Sequence, residues 1–167
     1  EHLRQGDIYQ ANLSQRFETG FSGDAYTLFL KLFEKNPAPF FSYIHAPDHH
    51  IISTSPERFL QRRGSVVESR PIKGTRARGE TLAEDKQNKK ELFYSVKDDA
   101  ELSMIVDLVR NDLGKVCAAG SVTVKEHKRI EAYDNVFHLV SRIEGILHPR
   151  TDSAALIRAA FPGGSIT

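Results

Sequence analysis

The apolar periodicity of this chain changes twice, and the order of the changes limits the folds open to it. Up to Ser69 most apolar residues fall in short period-2 runs, interrupted by one helical stretch. From Glu84 to Leu113 the spacing becomes helical, and from Val122 to Ile146 it returns to that of strands. Ile8–Glu18 reads as a strand with Tyr9, Ala11, Leu13 and Phe17 on one side. Asp24–Lys35 reads as a helix carrying Leu28, Phe29, Leu32 and Phe33, stopped by Asn36-Pro37. Phe40–His45 and Ile51–Thr54 form a predicted hairpin around Pro47-Asp48. Arg58–Gln61 and Val66–Ser69 form another, turning at Gly64. The polar run Arg76–Thr81, with Gly79, is expected to be a loop. Helices follow over Glu84–Tyr94 and Lys97–Leu113, the second capped by Ser95 and ended by Gly114. Strands over Val122–Val124 and Val136–Ile146 precede a last helix, Ser153–Ala160, capped by Asp152. Strands, helices, strands and helix in that order, without regular βαβ alternation, predict an α+β fold of antiparallel sheets backed by helices.

The chain has 167 residues, enough for one domain or most of one. With 40% hydrophobic and 27% charged residues it has the balance of a globular protein. A formal net charge of +1 gives no strong field toward nucleic acid or a membrane surface, and neither is expected as a partner. No apolar run approaches the roughly 20 residues that span a bilayer. Cys117 is the single cysteine, which excludes an intrachain disulfide and points to a reducing cytoplasm.

Three segments carry candidate chemistry. In Arg70-Pro71-Ile72-Lys73-Gly74-Thr75, Pro71 fixes the backbone at a strand end. Gly74 permits close approach of a ligand, Thr75 offers a hydroxyl, and Lys73 stands between them. Taken alone, the segment also describes a surface turn with a solvated lysine, the commoner state of that residue. In Ser55-Pro56-Glu57-Arg58-Phe59, Glu57 could face Lys73 across the predicted hairpin and exchange protons with it. A surface ion pair, contributing only ~0–1 kcal/mol, is the alternative. In the helix from Lys97 to Asp112, positions 97, 101 and 108 share one face and 98, 101 and 105 another. Acidic groups there can hold a hard cation such as magnesium through oxygen, or can form a solvated face. His45, His49 and His50 cluster near a turn without cysteine or carboxylate partners at zinc-like spacing, and read as a solvent-exposed loop. Cys117 reads as buried.

Together these segments resemble the chorismate-utilising enzymes, the family that includes anthranilate synthase and aminodeoxychorismate synthase component I. The matching runs are Gly6–Gln10, Ser55–Phe59, Arg70–Thr75, Met104–Gly114, His138–Ser141 and Phe161–Thr167, in family order across nearly the whole chain. Lys73 selects a branch: Pro-Ile-Lys-Gly-Thr is similar to the aminodeoxychorismate enzymes, whereas the anthranilate enzymes have alanine at that position. The resemblance implies that the Lys73 amine attacks C2 of chorismate as the C4 hydroxyl leaves, and that ammonia then enters at C4 and expels the lysine. Such covalent catalysis needs the unprotonated amine.

The resemblance further implies Glu57 as the acid/base, Glu101 as a ligand to Mg2+, and His138 beside the ring carboxylate. It assigns Gly74, Thr75 and Ser165 to substrate binding, and Pro39, Phe40 and Phe41 to one wall of a tryptophan pocket found in many family members. Chorismate, a glutamine amidotransferase subunit supplying ammonia and, through that pocket, tryptophan are the implied partners. The expectation is that residues 1–167 form part of one chorismate-binding catalytic domain. The family's second magnesium glutamate and its glycine-rich carboxylate loop would then lie beyond Thr167, and the chain by itself would not turn over substrate. The rival readings are an anthranilate-type or other chorismate enzyme, and a non-catalytic module of such an enzyme.

Overall fold

The computed structural model describes residues 2–7 and 13–166. These residues divide into two compact units, which meet in sequence between Glu57 and Arg58.

The first unit holds a one-turn helix α1 (His2–Gln5), helix α2 (Ala25–Lys35) and a hairpin of β1 (Phe40–His45) and β2 (His50–Ser55). Asp24 caps α2, its carboxylate accepting from the Thr27 amide at 2.7 Å. The Asn36 amide closes the other end on the Leu32 carbonyl. The hairpin is in antiparallel register from Phe40↔Ser55 to His45↔His50. Its aromatic side chains pack on those of α2: Tyr43 lies 5.3 Å from Tyr26 and 5.8 Å from Phe29, and Phe41 lies 5.4 Å from Phe33, ring centre to ring centre. The strand expected over Ile8–Glu18 lies partly outside the described residues. Over Leu13–Glu18 the chain has no regular structure, and both Leu13 and Phe17 are exposed. Alternation alone makes no strand where no neighbouring strand satisfies the backbone.

The second unit is a five-stranded antiparallel sheet with helices on one face. Its strands are β3 (Arg58–Arg63), β4 (Val66–Arg70), β5 (Ile72–Ala77), β6 (Thr123–Ala132) and β7 (Val136–Ile146). The long β7 organises the sheet. Along one edge it pairs first with β5 and then with β4, and along the other with β6. Between β4 and β5 sits Pro71, fully buried, whose carbonyl accepts from the Ser141 amide at 3.1 Å. The proline thus divides the run along this side of β7 into two strands without leaving the sheet, at a position where its missing N–H costs no ladder bond. Gly64, at φ 61, makes the β3–β4 turn.

Helices α3 (Leu82–Tyr94), α4 (Val96–Gly114) and α5 (Ser153–Ala160) are capped by the side chains of Thr81, Ser95 and Asp152. The core lies between sheet and helices, built from Val67, Phe137, Leu139 and Ile143 of the sheet and Leu92, Leu102, Val106, Leu113 and Leu156 of the helices. Cys117 is buried there, and burial raises its thiol pKa. The antiparallel α+β architecture is as the periodicity predicts. Among the described residues no helix is long and apolar enough to cross a membrane.

Two expectations about the second unit are corrected. Arg76 and Ala77 belong to β5, not to a loop, because β7 supplies their partners Phe137 and Val136. The strand beginning near Val122 does not stop at Val124 but runs on to Ala132. Its polar sequence conceals it, since its charges are paired with β4 through Arg70, with β7 through Arg142 and with α4 through Asp99.

Candidate functional site

Strand β5 does not run straight through the Lys73-Gly74-Thr75 segment. Lys73 pairs with Leu139 and Thr75 with His138, so Gly74 is an extra residue bulged out of the ladder. Its φ is +80, a left-handed conformation that glycine adopts at no steric cost. A side chain there would meet the Asp98 Cβ and the Leu92 Cδ1 at 2.9 Å. The bulge therefore presses against the start of α4, and Lys73, Gly74 and Thr75 form an irregular strand, not the surface turn that local pattern also allowed.

The structure brings His138 to the same place. Its Nδ1 lies 3.0 Å from the Thr75 hydroxyl, and a second hydrogen bond ties the ring to the Gly74 backbone. Burial lowers the imidazole pKa, outweighing the Gly74 bond and the Glu131 charge, which favour protonation. His138 is thus a neutral imidazole held at the bulge, able to accept the Thr75 hydrogen.

Around it lies a charged network that sequence reasoning missed. Glu131, the cross-strand partner of His138, accepts from Arg70 and Arg129 through one oxygen and from the Tyr133 hydroxyl at 2.9 Å through the other. Burial alone would raise the Glu131 pKa, but the bonds from Arg129 and Tyr133, with the Arg70 charge, bring it below the ordinary value. Burial, then the bond to Glu131, pushes the Tyr133 pKa up to about 12. The Tyr133 ring stands edge-on to His138 at 5.4 Å. The available signal was the alternation Arg129, Glu131, Tyr133 against Ile130 and Ala132, which is strand spacing with a polar face.

Along α4, Asp98 is buried against the bulge and accepts from Arg76 at 3.0 Å. Glu101 is three residues on, half-buried, with Lys97 at 3.7 Å. A pair of that length to a lysine 82% exposed is weak. The Glu101 carboxylate is therefore available to a hard cation, and one or two carboxylates with water and substrate oxygen suit magnesium. Among the described residues no three His, Cys, Asp or Glu side chains gather into a metal cluster. Ser165 lies in a tight turn closed by the Ile166 amide on the Gly163 carbonyl. The preceding Gly164 approaches Ile105 and Leu108, so this segment passes α4 one turn beyond Glu101. The second unit thus gathers Lys73, Gly74, Thr75 and His138 at one bulge, and places Glu101 and the Ser165 segment along the adjoining helix.

The remaining candidates belong to the first unit. Glu57 ends it, its amide donating to the Ser55 hydroxyl at 3.2 Å. Phe40 and Phe41 are successive, half-buried residues of β1, and Phe41 packs on Phe29 and Phe33. Pro39 precedes them, exposed.

Residues 1–167 match, end to end, the family model described as chorismate binding enzyme. The chain belongs to the chorismate-binding enzymes. It is 47% identical over 167 residues to aminodeoxychorismate synthase component 1 of Escherichia coli, covering all of this chain and 37% of that protein. It is also 47% identical over 169 residues to the anthranilate synthase component I-like protein of Synechocystis, covering 35% of it. The crystal structure of anthranilate synthase component I from Streptococcus pneumoniae superimposes with a TM-score of 0.86 at 31% identity, covering 99% of this chain and 36% of that one. The chain therefore spans about a third of the length of the relatives it matches.

Proposed function

We propose that the protein carrying this chain aminates chorismate at C4 to give 4-amino-4-deoxychorismate, the precursor of 4-aminobenzoate, with ammonia supplied by a glutamine amidotransferase subunit. The observation that carries this reading is Lys73 at the Gly74 bulge, in the strand whose Thr75 holds His138. Relatives of similar identity bear both aminodeoxychorismate and anthranilate synthase names, so the branch rests on Lys73 itself.

In this reading the Lys73 amine bonds to C2 as the C4–O bond breaks, and Glu57 protonates the departing hydroxyl. Ammonia then bonds to C4 as the C2–N bond to Lys73 breaks, and Glu57 takes a proton back. His138, Gly74, Thr75 and Ser165 bind and orient the substrate carboxylates, fixing C2 within reach of the amine. Glu101 would hold Mg2+, whose positive charge would neutralise a substrate carboxylate.

The test uses the full-length protein with chorismate, magnesium and ammonium, and identifies products by mass. The parent should yield aminodeoxychorismate, and Lys73→Ala should lower that yield at least 100-fold. Anthranilate as the parent's product would reject the branch. Unchanged aminodeoxychorismate turnover in Lys73→Ala would reject the covalent role.

A further inference from the structure

The hairpin of the first unit carries a cluster that the proposed chemistry does not use. The Ala46 amide donates to the His49 carbonyl at 3.0 Å, so the 46/49 pair is hydrogen-bonded and the next pair, His45↔His50, falls at a non-hydrogen-bonded position. Side chains stand closest at such positions. His45 and His50 are accordingly not loop residues, as their spacing suggested, but the last cross-strand pair of β1 and β2. Their rings stack with centroids 4.7 Å apart, and their Nδ1 atoms are 3.0 Å apart.

The Tyr43 hydroxyl lies 3.0 Å from the same His50 nitrogen. Three polar atoms therefore converge, although His50 Nδ1 has one lone pair to offer or one proton to give. Two imidazole nitrogens both acting as acceptors toward one cation would satisfy this arrangement. Ligands about 2.1 Å from a metal and at right angles to one another are roughly 3.0 Å apart, the separation seen between these nitrogens.

We propose that His45 and His50 chelate a late first-row transition-metal dication, the class that imidazole ligands favour, and that water fills the other positions. The cradle is set in advance. His50 stacks on Tyr43 at 5.5 Å, and Tyr43 is held by Tyr26 and Phe29 of α2. Asp24, whose carboxylate is held anionic chiefly by the Thr27 amide, adds negative charge that acts on His50. Both histidines are exposed, so a hydrated ion can reach them. His49 is turned to a different partner, Asp48, at 2.7 Å.

The experiment titrates Ni2+ into the metal-stripped full-length protein by calorimetry, beside His45→Ala, His50→Ala and His49→Ala. The affinity of this site should fall at least tenfold in each of the first two variants and less than twofold in the third. An absence of saturable Ni2+ binding in the parent would overturn the proposal. So would affinities within twofold of the parent in both His45→Ala and His50→Ala. The outcome is independent of the reaction that the protein catalyses.

Discussion

The two units are held together by different means. The second has an aliphatic core in which Val67, Leu92, Leu102, Leu113, Leu139 and Ile143 are all fully excluded from water. In the first, none of the described residues is buried. Its apolar side chains pack as half-exposed rings of α2 and the hairpin, while Phe17 and Phe21 remain 83% and 58% exposed. A unit of this size buries a smaller fraction of its surface, and aromatic rings, with much area per residue, supply cohesion in it. The contrast teaches where precision resides. The Lys73 bulge is built against the closed core, whereas the histidine pair is built on the open hairpin.

The largest expected effect comes from cutting into the closed core. Leu139 is fully buried and is the cross-strand partner of Lys73. Leu139→Ala should lower unfolding stability by about 2–5 kcal/mol, measured by urea denaturation. A loss below 1 kcal/mol would mean that the second unit is no more tightly packed than the first.

Next comes the bulge. Gly74→Ala places a side chain at φ +80, which alone costs about 1–2 kcal/mol. Asp98 and Leu92 must also give way. Activity should fall further than stability, because Lys73 and Thr75 lose their register against β7. Wild-type kcat/KM in this variant would show that the bulge does not position the lysine.

A smaller effect is expected in the first unit. Phe→Ala at a fully buried site costs about 3–5 kcal/mol, and a half-buried ring should cost about 1–2 kcal/mol. Phe41→Ala should therefore accelerate amide hydrogen exchange in β1 and β2 while leaving β7 protected. Equal acceleration in both would erase the distinction between the units.

What the sequence disclosed follows the same division of physical cause. Elements defined by local signals were legible: α2 by Asp24 and its apolar stripe, α4 by Ser95, the hairpins by their turns, and β7 by its apolar run. Elements defined by partners were not. Leu13–Glu18 alternates without a described strand beside it, and β6 is a strand although half its residues are charged, because β7 pairs with it. For the site, two of the named residues meet in the structure, His138 lying against Thr75. The Glu131 network was only half legible: Arg129 and Tyr133 alternate with Glu131 along the chain, but Arg70 is brought to it only by the sheet. The His45–His50 contact likewise depends on a cross-strand pair, which spacing in one dimension does not reveal.

The subtlest difference between the units concerns pH, through His138. Its folded-state pKa lies below the ordinary 6.5 because burial disfavours the imidazolium. Around pH 6 the unfolded chain therefore binds the proton more readily than the folded one. The contribution of His138 to stability is fully present above pH 6.5 and declines as pH falls through 6.5 toward the folded pKa, with a slope of at most about 1.4 kcal/mol per pH unit. Glu131, lowered from 4.5, contributes in a window that opens only below pH 4.5. Urea denaturation from pH 8 to pH 5 should show stability falling on the acid side, and His138→Gln should flatten that limb while lowering the plateau. Exchange at the β1–β2 amides, after correction for its intrinsic pH dependence, should not follow the same curve. An unchanged acid limb in His138→Gln would locate the coupling elsewhere, and the buried imidazole at the bulge would no longer be what distinguishes the second unit's response.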